Sequence, residues 1–528
     1  MAATLFPLLY NSGVQRDGTT FQSTYCTDAQ WIRFQRDKIK KIGGMKGVSS
    51  QGSVGTNIRV YPDPAENTKS ITFLCHNAGI YAINCDSNWD RSITQNVLTM
   101  PADNNVMWES ETVVDAGKRD NTPSNLPTSY IVFMKTNNAA NINQNTPSTF
   151  YKKEIRRALD GALAELVPMP GISPLINGNL CFAAPYLFVF GSNGLVQYSR
   201  SKDPFSFTGG DSGEFIASPD KIIFGRSIRG GPSSPSLLLW TLSSVVRVTN
   251  TGTDAGTGNI IFKPETISSG SSILSSKCVV EYDGFFFWPG TDRFYAYNGL
   301  VDELPNKLNQ NYFFDNLDLD RRQQVFGVKN AKYGEIWWFY PVKGVPGANS
   351  RAVVYNKREN FWYDTPISRV AGTFSNDFGF MVTTGKPLVN HANENYLWRH
   401  EFNDGQQLEN EVLPIPSYFV APIFSWAAFP PRISKQSQPA QLVNRWVDLQ
   451  RIEPDFIDNA NPSHFTVQVS TKEYAQSKSQ AFAPVAFDSD TEKVDMRVQG
   501  RNMTLKFSSE EKFEVGQIML LLGIGDAR

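Results

Sequence analysis

Four carboxylates that lie close together in the sequence are the first candidates for catalysis in this chain of 528 residues. They are Asp283, Asp292, Asp302 and Glu303. Two carboxylates about 5 to 9.5 Å apart can hydrolyse a glycosidic bond, with one acting as the acid and the other as base or nucleophile. Aspartate beside glycine is also the ordinary composition of a turn, and this explanation is favoured here. We therefore predict no catalytic residue, and a carbohydrate-active or carbohydrate-binding protein remains the alternative function.

Metal and cofactor sites are not predicted either. The histidines are scattered and show no H-E-x-x-H spacing: His76, His391, His400 and His464. The cysteines are odd in number and lack a C-x-x-C pair: Cys26, Cys75, Cys85, Cys181 and Cys278. Such cysteines are typical of buried thiols in a reducing cytoplasm and not of a disulfide framework. Glycine-rich phosphate loops and the nucleophile elbow are also missing, so we expect a protein that is not an enzyme and needs no cofactor.

The charge balance is close to neutral, with 50 lysines and arginines against 51 aspartates and glutamates. A net basic field that could hold a polyanion is therefore absent, and tight nucleic-acid binding is not the first expectation. No apolar run approaches the roughly 20 residues that cross a bilayer, and the first residues do not resemble a secretory signal. We expect no membrane span.

One aromatic hairpin pattern recurs from about Ser70 to Asp404. Its clearest copy is the strand Gly284–Trp288, a turn at Pro289–Asp292 and a second strand ending at Gly299. Copies begin near residues 71, 130, 186, 237, 279, 333 and 379. Propeller blades repeat every ~40–50 residues, because each blade buries its faces only by stacking on its neighbours. The sequence predicts a mostly β protein with a β-propeller of about six to seven blades, and a series of β-sandwiches is the alternative.

Changes in composition predict three parts. We expect an N-terminal arm over residues 1–50, a propeller body over 51–413 and a C-terminal antiparallel β-domain over 414–528. A proline-rich connector from Pro414 to Pro431 marks the second boundary. Apolar residues at helical spacing also predict a helix from Lys152 to Val167.

The arm concentrates aromatic and basic residues in two short segments. Alternation within them predicts two strands joined by a turn at Arg36-Asp37. Such an arm either packs on its own domain or docks on a neighbouring subunit. The candidate subunit-docking residues are Trp31, Arg33, Phe34, Lys40, Gly43 and Gly44.

These segments resemble the tail nozzle proteins of short-tailed bacteriophages, a family also described as tubular tail or packaged-DNA-stabilisation proteins. The similar segments are the W-x-R-F and K-x-G-G motifs of the arm, Asp283–Phe287, Phe294–Gly299, Glu335–Pro341, Val354–Asn356, the C-terminal Gly500–Leu505 and the closing Gly525–Arg528. The resemblance implies a structural subunit, six copies of which form a tube below the portal and adaptor rings. This tube retains packaged DNA and conducts it on ejection.

The resemblance also implies partners and a location. The expected partners are other copies in a hexameric ring, the head-to-tail adaptor above it, a tail fibre, spike or needle protein, and double-stranded DNA that passes without sequence-specific binding. The protein is expected in the virion tail, assembled in the host cytoplasm. Duplex DNA carries one charge per ~1.7 Å, so a strongly basic bore would oppose ejection. We therefore expect a neutral to acidic lumen closed by loops.

Overall fold

The computed structural model describes residues 3–51, 55–119, 127–137, 147–228, 235–253, 260–389, 394–409, 411–426, 445–457 and 464–527. Within these residues the chain is mostly β, as predicted. Four-stranded antiparallel sheets follow one another along the middle of the chain, and three further sheets combine strands from both ends. The fold is therefore a β-propeller with a second β-domain.

The N-terminal residues form short strands. These are β1 (Thr4–Pro7), β2 (Asn11–Val14), β3 (Tyr25–Cys26), β4 (Asp28–Gln30), β5 (Ile32–Gln35), β6 (Lys38–Lys41) and β7 (Met45–Gln51), with a 3-10 turn at Thr20–Gln22. β5 and β6 pair as an antiparallel hairpin. Its turn residues Arg36 and Asp37 have φ of 52° and 57°. Positive φ at both positions is the type I′ geometry that matches strand twist, so the hairpin predicted in the arm is confirmed.

Six blades are each built from four consecutive strands. The first contains β8 (Gly55–Pro62), β9 (Ser70–His76), β10 (Gly79–Cys85) and β11 (Arg91–Thr99). The second contains β12 (Met107–Arg119), β13 (Pro127–Thr136), β14 (Thr149–Glu154) and β15 (Glu165–Leu166). The third contains β16 (Ile176–Ala183), β17 (Tyr186–Gly191), β18 (Leu195–Tyr198) and β19 (Gly213–Ile216).

The next three blades repeat this order. The fourth contains β20 (Ile222–Ile228), β21 (Ser236–Thr241), β22 (Ser244–Thr253) and β23 (Ile260–Ser269). The fifth contains β24 (Val280–Tyr282), β25 (Phe285–Pro289), β26 (Phe294–Tyr297) and β27 (Val301–Glu303). The sixth contains β28 (Phe326–Asn330), β29 (Glu335–Tyr340), β30 (Asn349–Asn356) and β31 (Phe361–Arg369).

The seventh blade joins distant parts of the chain. It contains β32 (Ala371–Ser375), β33 (Phe380–Gly385) and β34 (Asn395–His400), and the N-terminal β7 pairs antiparallel with β34 as the fourth strand. The hairpin of β35 (Gly405–Leu408) and β36 (Glu411–Pro414) extends this sheet beyond β7. β32 also contacts β8 of the first blade, which closes the ring. The segment predicted as the arm, 1–50, thus contributes its last strand to the propeller.

Helix is scarce in the described residues. One α-helix, α1 (Gln310–Asn316), and a 3-10 helix at Leu319–Gln324 connect the fifth and sixth blades. The helix predicted from Lys152 to Val167 is wrong. Strand β14 occupies that segment up to Glu154, a single 3-10 turn follows, and Gly161 has φ of +81°, which stops a right-handed helix.

The C-terminal strands combine with the arm into a domain that we call the platform. They are β37 (Ser417–Val420), β38 (Arg445–Glu453), β39 (Phe456–Ile457), β40 (His464–Lys472), β41 (Gln480–Ala481), β42 (Val485–Asp488), β43 (Val494–Gly500), β44 (Asn502–Ser509), β45 (Glu514–Val515) and β46 (Met519–Ala527). The sheet orders are β1-β46-β38-β43, β4-β37-β44-β40-β41 with β42 on β40, and β39-β45-β6-β5. Each sheet contains an arm strand, so the two ends of the chain form one domain. Pro430 and Pro431 of the predicted connector lie outside the described residues.

Candidate functional site

The motif residues of the arm lie in the junction between the platform and the sixth and seventh blades. Trp31, Arg33 and Phe34 are all buried there. The Phe34 ring contacts Phe361 and Tyr363 of the sixth blade, with centroids 5.8 and 6.1 Å away. The aromatic residues of W-x-R-F are therefore core residues of the joint between the two domains.

Arg33 is the centre of a buried ionic cluster. Its Nε and Nη2 donate to the two carboxylate oxygens of Glu335 at 2.9 and 3.0 Å, and Nη2 also donates to Glu401 at 2.6 Å. Tyr363 and Trp337 donate to the same Glu335 carboxylate at 2.7 and 3.0 Å. A fork-shaped guanidinium suits this two-point contact, which a lysine could not reproduce.

Burial and charge act on this cluster in opposite directions. Burial alone would lower the pKa of Arg33, but the carboxylates of Glu335 and Glu401 raise it well above its ordinary value. Burial, reinforced by the Glu335 carboxylate, raises the pKa of Tyr363 well above the usual range. Arg33 is therefore charged and Tyr363 is a neutral phenol near neutral pH. The hydrogen bonds of the cluster fix the position of the arm on the sixth blade.

The K-x-G-G motif follows the hairpin and approaches the seventh blade closely. A Cβ on Gly44 would collide with the backbone of Gly405, and one on Gly43 would meet the carboxylate of Glu401. Lys40 is partly exposed and pairs with Glu514 of the platform at 2.9 Å. Gly44 is needed because the chain passes too near the Gly405 backbone for any side chain, and Gly43 is confined by the Glu401 side chain.

A second ionic contact ties the arm to the sixth blade. Arg16 bonds Asp364 at 2.9 Å and Asp28 of β4 at 2.5 Å. Asp17 accepts hydrogen bonds from the backbone N–H groups of Asn311 and Tyr312, both at 2.8 Å. These N–H groups lie in the first turn of helix α1, where backbone donors have no partner within the helix. Asp17, which is distant in sequence, therefore caps helix α1 from the arm.

The six predicted docking residues thus meet within one chain, and only Lys40 reaches the surface to a substantial extent. Beside them lies a groove of about 530 Å³ whose wall includes Lys40, Lys332 and Lys512. Burial lowers the pKa of Lys41 in this wall to about 8, against the opposing effect of nearby acids. Trp31, Arg33 and Phe34 are too deeply buried to contact a neighbouring subunit themselves.

Sequence reasoning missed the acidic half of the junction. Glu335 and Glu401 lie far from Arg33 in the sequence, and no local pattern links them. One signal was present, because Glu335 opens the strand Glu335–Tyr340, whose other residues are aromatic or aliphatic and fully buried. A carboxylate in such a strand must have a buried partner.

The candidate carboxylates lie on turns and outer strands of the fifth blade. Asp292 and Glu303 both pair with Arg293, at 2.8 and 3.3 Å. Asp283 is largely exposed and pairs with Lys357 at 3.1 Å. Asp302 is exposed on β27. Asp283, Asp292 and Glu303 therefore form surface ion pairs, and this is a structural use of their carboxylates.

A polar cavity of about 300 Å³ lies on the axis of the propeller, lined by the first strands of the blades. We call it the axial cavity. Glu109 and Lys277 lie in its deeper wall, where burial raises the pKa of Glu109 and lowers the pKa of Lys277. Ser276 donates to the Glu109 carboxylate, and the Lys277 ammonium donates to the Thr56 carbonyl at 2.6 Å.

The remaining candidate groups are dispersed. His400 is buried and bonds Thr383 at 2.8 Å, His464 is exposed, and His391 lies outside the described residues. Over the described ranges, no group of three or more histidine, cysteine, aspartate or glutamate side chains is arranged to hold a metal ion. All five cysteines are free and buried, as predicted. No helix in those ranges is long and apolar enough to cross a membrane.

Comparison with solved structures gives matches of low sequence identity. A YCF48 chain bound to a D1 peptide shares 8% identity over 68% of this chain and 97% of that one, with a TM-score of 0.35. A chain of the mitotic checkpoint complex shares 10% identity over 66% and 93%, with a TM-score of 0.35. The Dos1 propeller shares 10% identity over 72% and 92%, with a TM-score of 0.33. No family model and no curated protein matches the chain.

Proposed function

We propose that this chain is a structural subunit of a short-tailed phage tail, in which six copies form a nozzle below the head-to-tail adaptor. The observation that carries the proposal is the position of the W-x-R-F and K-x-G-G motifs. Their residues hold the platform on the propeller through the Arg33–Glu335 ion pair and the close approach at Gly44. A subunit that must transmit load between two domains needs such a rigid joint.

The platform also presents a surface suited to contacts between copies. Strand β1 is an edge strand, paired on one side with β46. Leu5 on this strand and Leu9 just after it are 43% and 57% exposed. An exposed edge with apolar side chains is a site where another chain can add. We propose that neighbouring platforms meet here to form the ring.

The DNA path would run between the copies. The axial cavity has a volume of only about 300 Å³. A DNA duplex is far larger, since its major groove alone is about 12 Å wide, and it cannot pass along the axis of one propeller. The lumen would therefore be the space enclosed by the ring. With a net charge of −1 per chain, we expect a neutral to acidic lining that lets the duplex slide.

Electron microscopy of the purified chain, alone and with the preceding ring protein of the same tail, tests the proposal. The expected result is a six-fold ring that forms on or after addition of the preceding ring, with no glycan hydrolysis. A chain that stays monomeric in both conditions and cleaves a polysaccharide would contradict it. A ring whose bore is continuously lined by lysine and arginine would contradict the proposed lumen alone.

A further inference from the structure

The axial cavity has the size and the wall of a small-molecule site. Its volume of about 300 Å³ lies at the lower end of the ~300–1,000 Å³ range of ligand pockets. Side chains two residues apart on a strand face the same way. The first strand of each blade can therefore direct every second side chain toward the propeller axis.

Five charged residues on five different blades line this wall. They are Arg59 on β8, Glu111 on β12, Arg226 on β20, Glu281 on β24 and Lys329 on β28. A propeller axis that only needed filling would be closed by apolar or small side chains.

The pairing within this wall is incomplete. Arg226 and Arg59 share one carboxylate, that of Glu111, at 3.1 and 3.8 Å. The Lys329 ammonium lies over the Phe374 ring, 5.6 Å from its centroid. In the part of the chain that the structure describes, no carboxylate lies within ion-pair distance of the Lys329 Nζ. Among the described residues this wall therefore has three cations for two carboxylates, and neither carboxylate pairs with Lys329.

The deeper wall does not supply the missing charge. It adds one basic and one acidic group, Lys277 and Glu109, each held by its own neutral hydrogen-bond partner. The side of the cavity nearest Lys329 is lined by Thr373 and Asn376, whose hydroxyl and amide groups can donate hydrogen bonds. The local chemistry suits oxygen atoms that carry negative charge.

We propose that the axial cavity binds a small anion through carboxylate or phosphate oxygens, with Lys329 as its principal counter-ion. Thr373 and Asn376 complete the site on the same side. The volume admits an ion between phosphate and citrate in size and excludes a nucleic-acid duplex. This site is independent of the proposed function, since it lies within a single propeller.

Isothermal titration calorimetry on the full chain tests the site, with sodium phosphate and sodium citrate as probes and sodium chloride at equal ionic strength as the blank. We expect saturable binding of one anion per chain. Lys329→Gln should weaken this binding at least ten-fold. Lys343→Gln is the matched control, because Lys343 is exposed outside the cavity and its Nζ donates only to the Asp315 carbonyl among the described contacts.

Glu281→Gln is a second variant, and we expect it to change the anion affinity in the opposite direction from Lys329→Gln. Glu281 is exposed at the cavity wall, so the change should not disturb folding, and loss of its negative charge should tighten anion binding several-fold. Binding of phosphate alone or of citrate alone would assign the ligand class, and binding of both would support the shared chemistry. The proposal is overturned if neither anion binds saturably, if Lys329→Gln and Lys343→Gln behave alike, or if Glu281→Gln leaves affinity unchanged or weaker.

Discussion

Single residues decide how the two domains are joined. Arg33 is a cation fully enclosed by the chain, and its charge is balanced by carboxylates from two different blades. Such a cluster is costly to form, because all of its charges leave water. Once formed, the cluster strongly favours one position of the arm on the propeller, since a shifted arm would leave a buried charge unpaired.

We expect Arg33→Met to lower the free energy of unfolding by about 3–5 kcal/mol, because it leaves Glu335 buried without its counter-ion. Urea denaturation monitored by tryptophan fluorescence measures this change. Arg293→Met is the control, since that arginine forms only exposed ion pairs and should change stability little. Equal effects of the two substitutions would show that the cluster does not hold the junction.

His400 should make stability depend on pH. Burial, together with the nearby Arg369 and Arg33 charges, lowers the pKa of His400 well below its ordinary value. The unfolded chain takes up a proton near pH 6.5 while the folded chain does not, so stability falls as the pH falls below about 6.5. The slope from this group is at most about 1.4 kcal/mol per pH unit.

The measurement is the free energy of unfolding between pH 7.5 and 5. His400→Gln should flatten the curve in this range, because its side chain does not titrate. His464→Gln is the matched control, because it makes the same substitution at an exposed histidine. A wild-type slope that survives in His400→Gln would assign the pH dependence to other groups.

Elements show where sequence reasoning succeeds and where it fails. The blades were predictable because each carries aromatic strands joined by short turns, as in Phe285–Pro289 and Phe294–Tyr297. The pairing of β7 with β34 and of β1 with β46 joins residues hundreds of positions apart, and no periodicity encodes it. The helix predicted from Lys152 failed because apolar spacing alone does not separate a helix from a strand followed by a turn.

The candidate site was predicted in the same partial way. Trp31, Arg33 and Phe34 were recognised as an unusual aromatic and basic cluster, and they do share one site. Their burial was not predictable, because the surfaces that cover them belong to β29 and β31 of the sixth blade. A short motif indicates that its residues make specific contacts. It does not indicate whether these contacts lie within one chain or between two chains.

The passage of the chain from β6 into β7 yields a prediction at the element scale. Gly44→Ala should destabilise the protein by about 1–3 kcal/mol, because its new methyl group would meet the Gly405 backbone, which cannot rotate away. Gly43→Ala should cost less, since its first obstacle is the Glu401 side chain. Thermal unfolding of both variants measures the difference. A larger loss in Gly43→Ala would contradict the argument.

At the scale of the whole molecule, strands from the two ends of the chain form one platform. The propeller is closed by β7, the last strand of the segment predicted as the arm. Neither domain can therefore open without disturbing the other. This arrangement suits a subunit whose platform contacts its neighbours while its propeller projects from the ring.

The proposed ring contact can be broken without unfolding the subunit. Leu9→Asp places a charge on a side chain that is 57% exposed beside the β1 edge, so it should prevent assembly while leaving the monomer's thermal unfolding temperature nearly unchanged. Leu300→Asp is the matched control, because Leu300 is 67% exposed on a turn of the fifth blade, away from the platform. Sedimentation velocity in the presence of the preceding ring protein should give a monomer for Leu9→Asp and a hexamer for Leu300→Asp. If both variants assemble, the copies must meet through another surface; if only Leu300→Asp fails, the propeller and not the platform forms the ring.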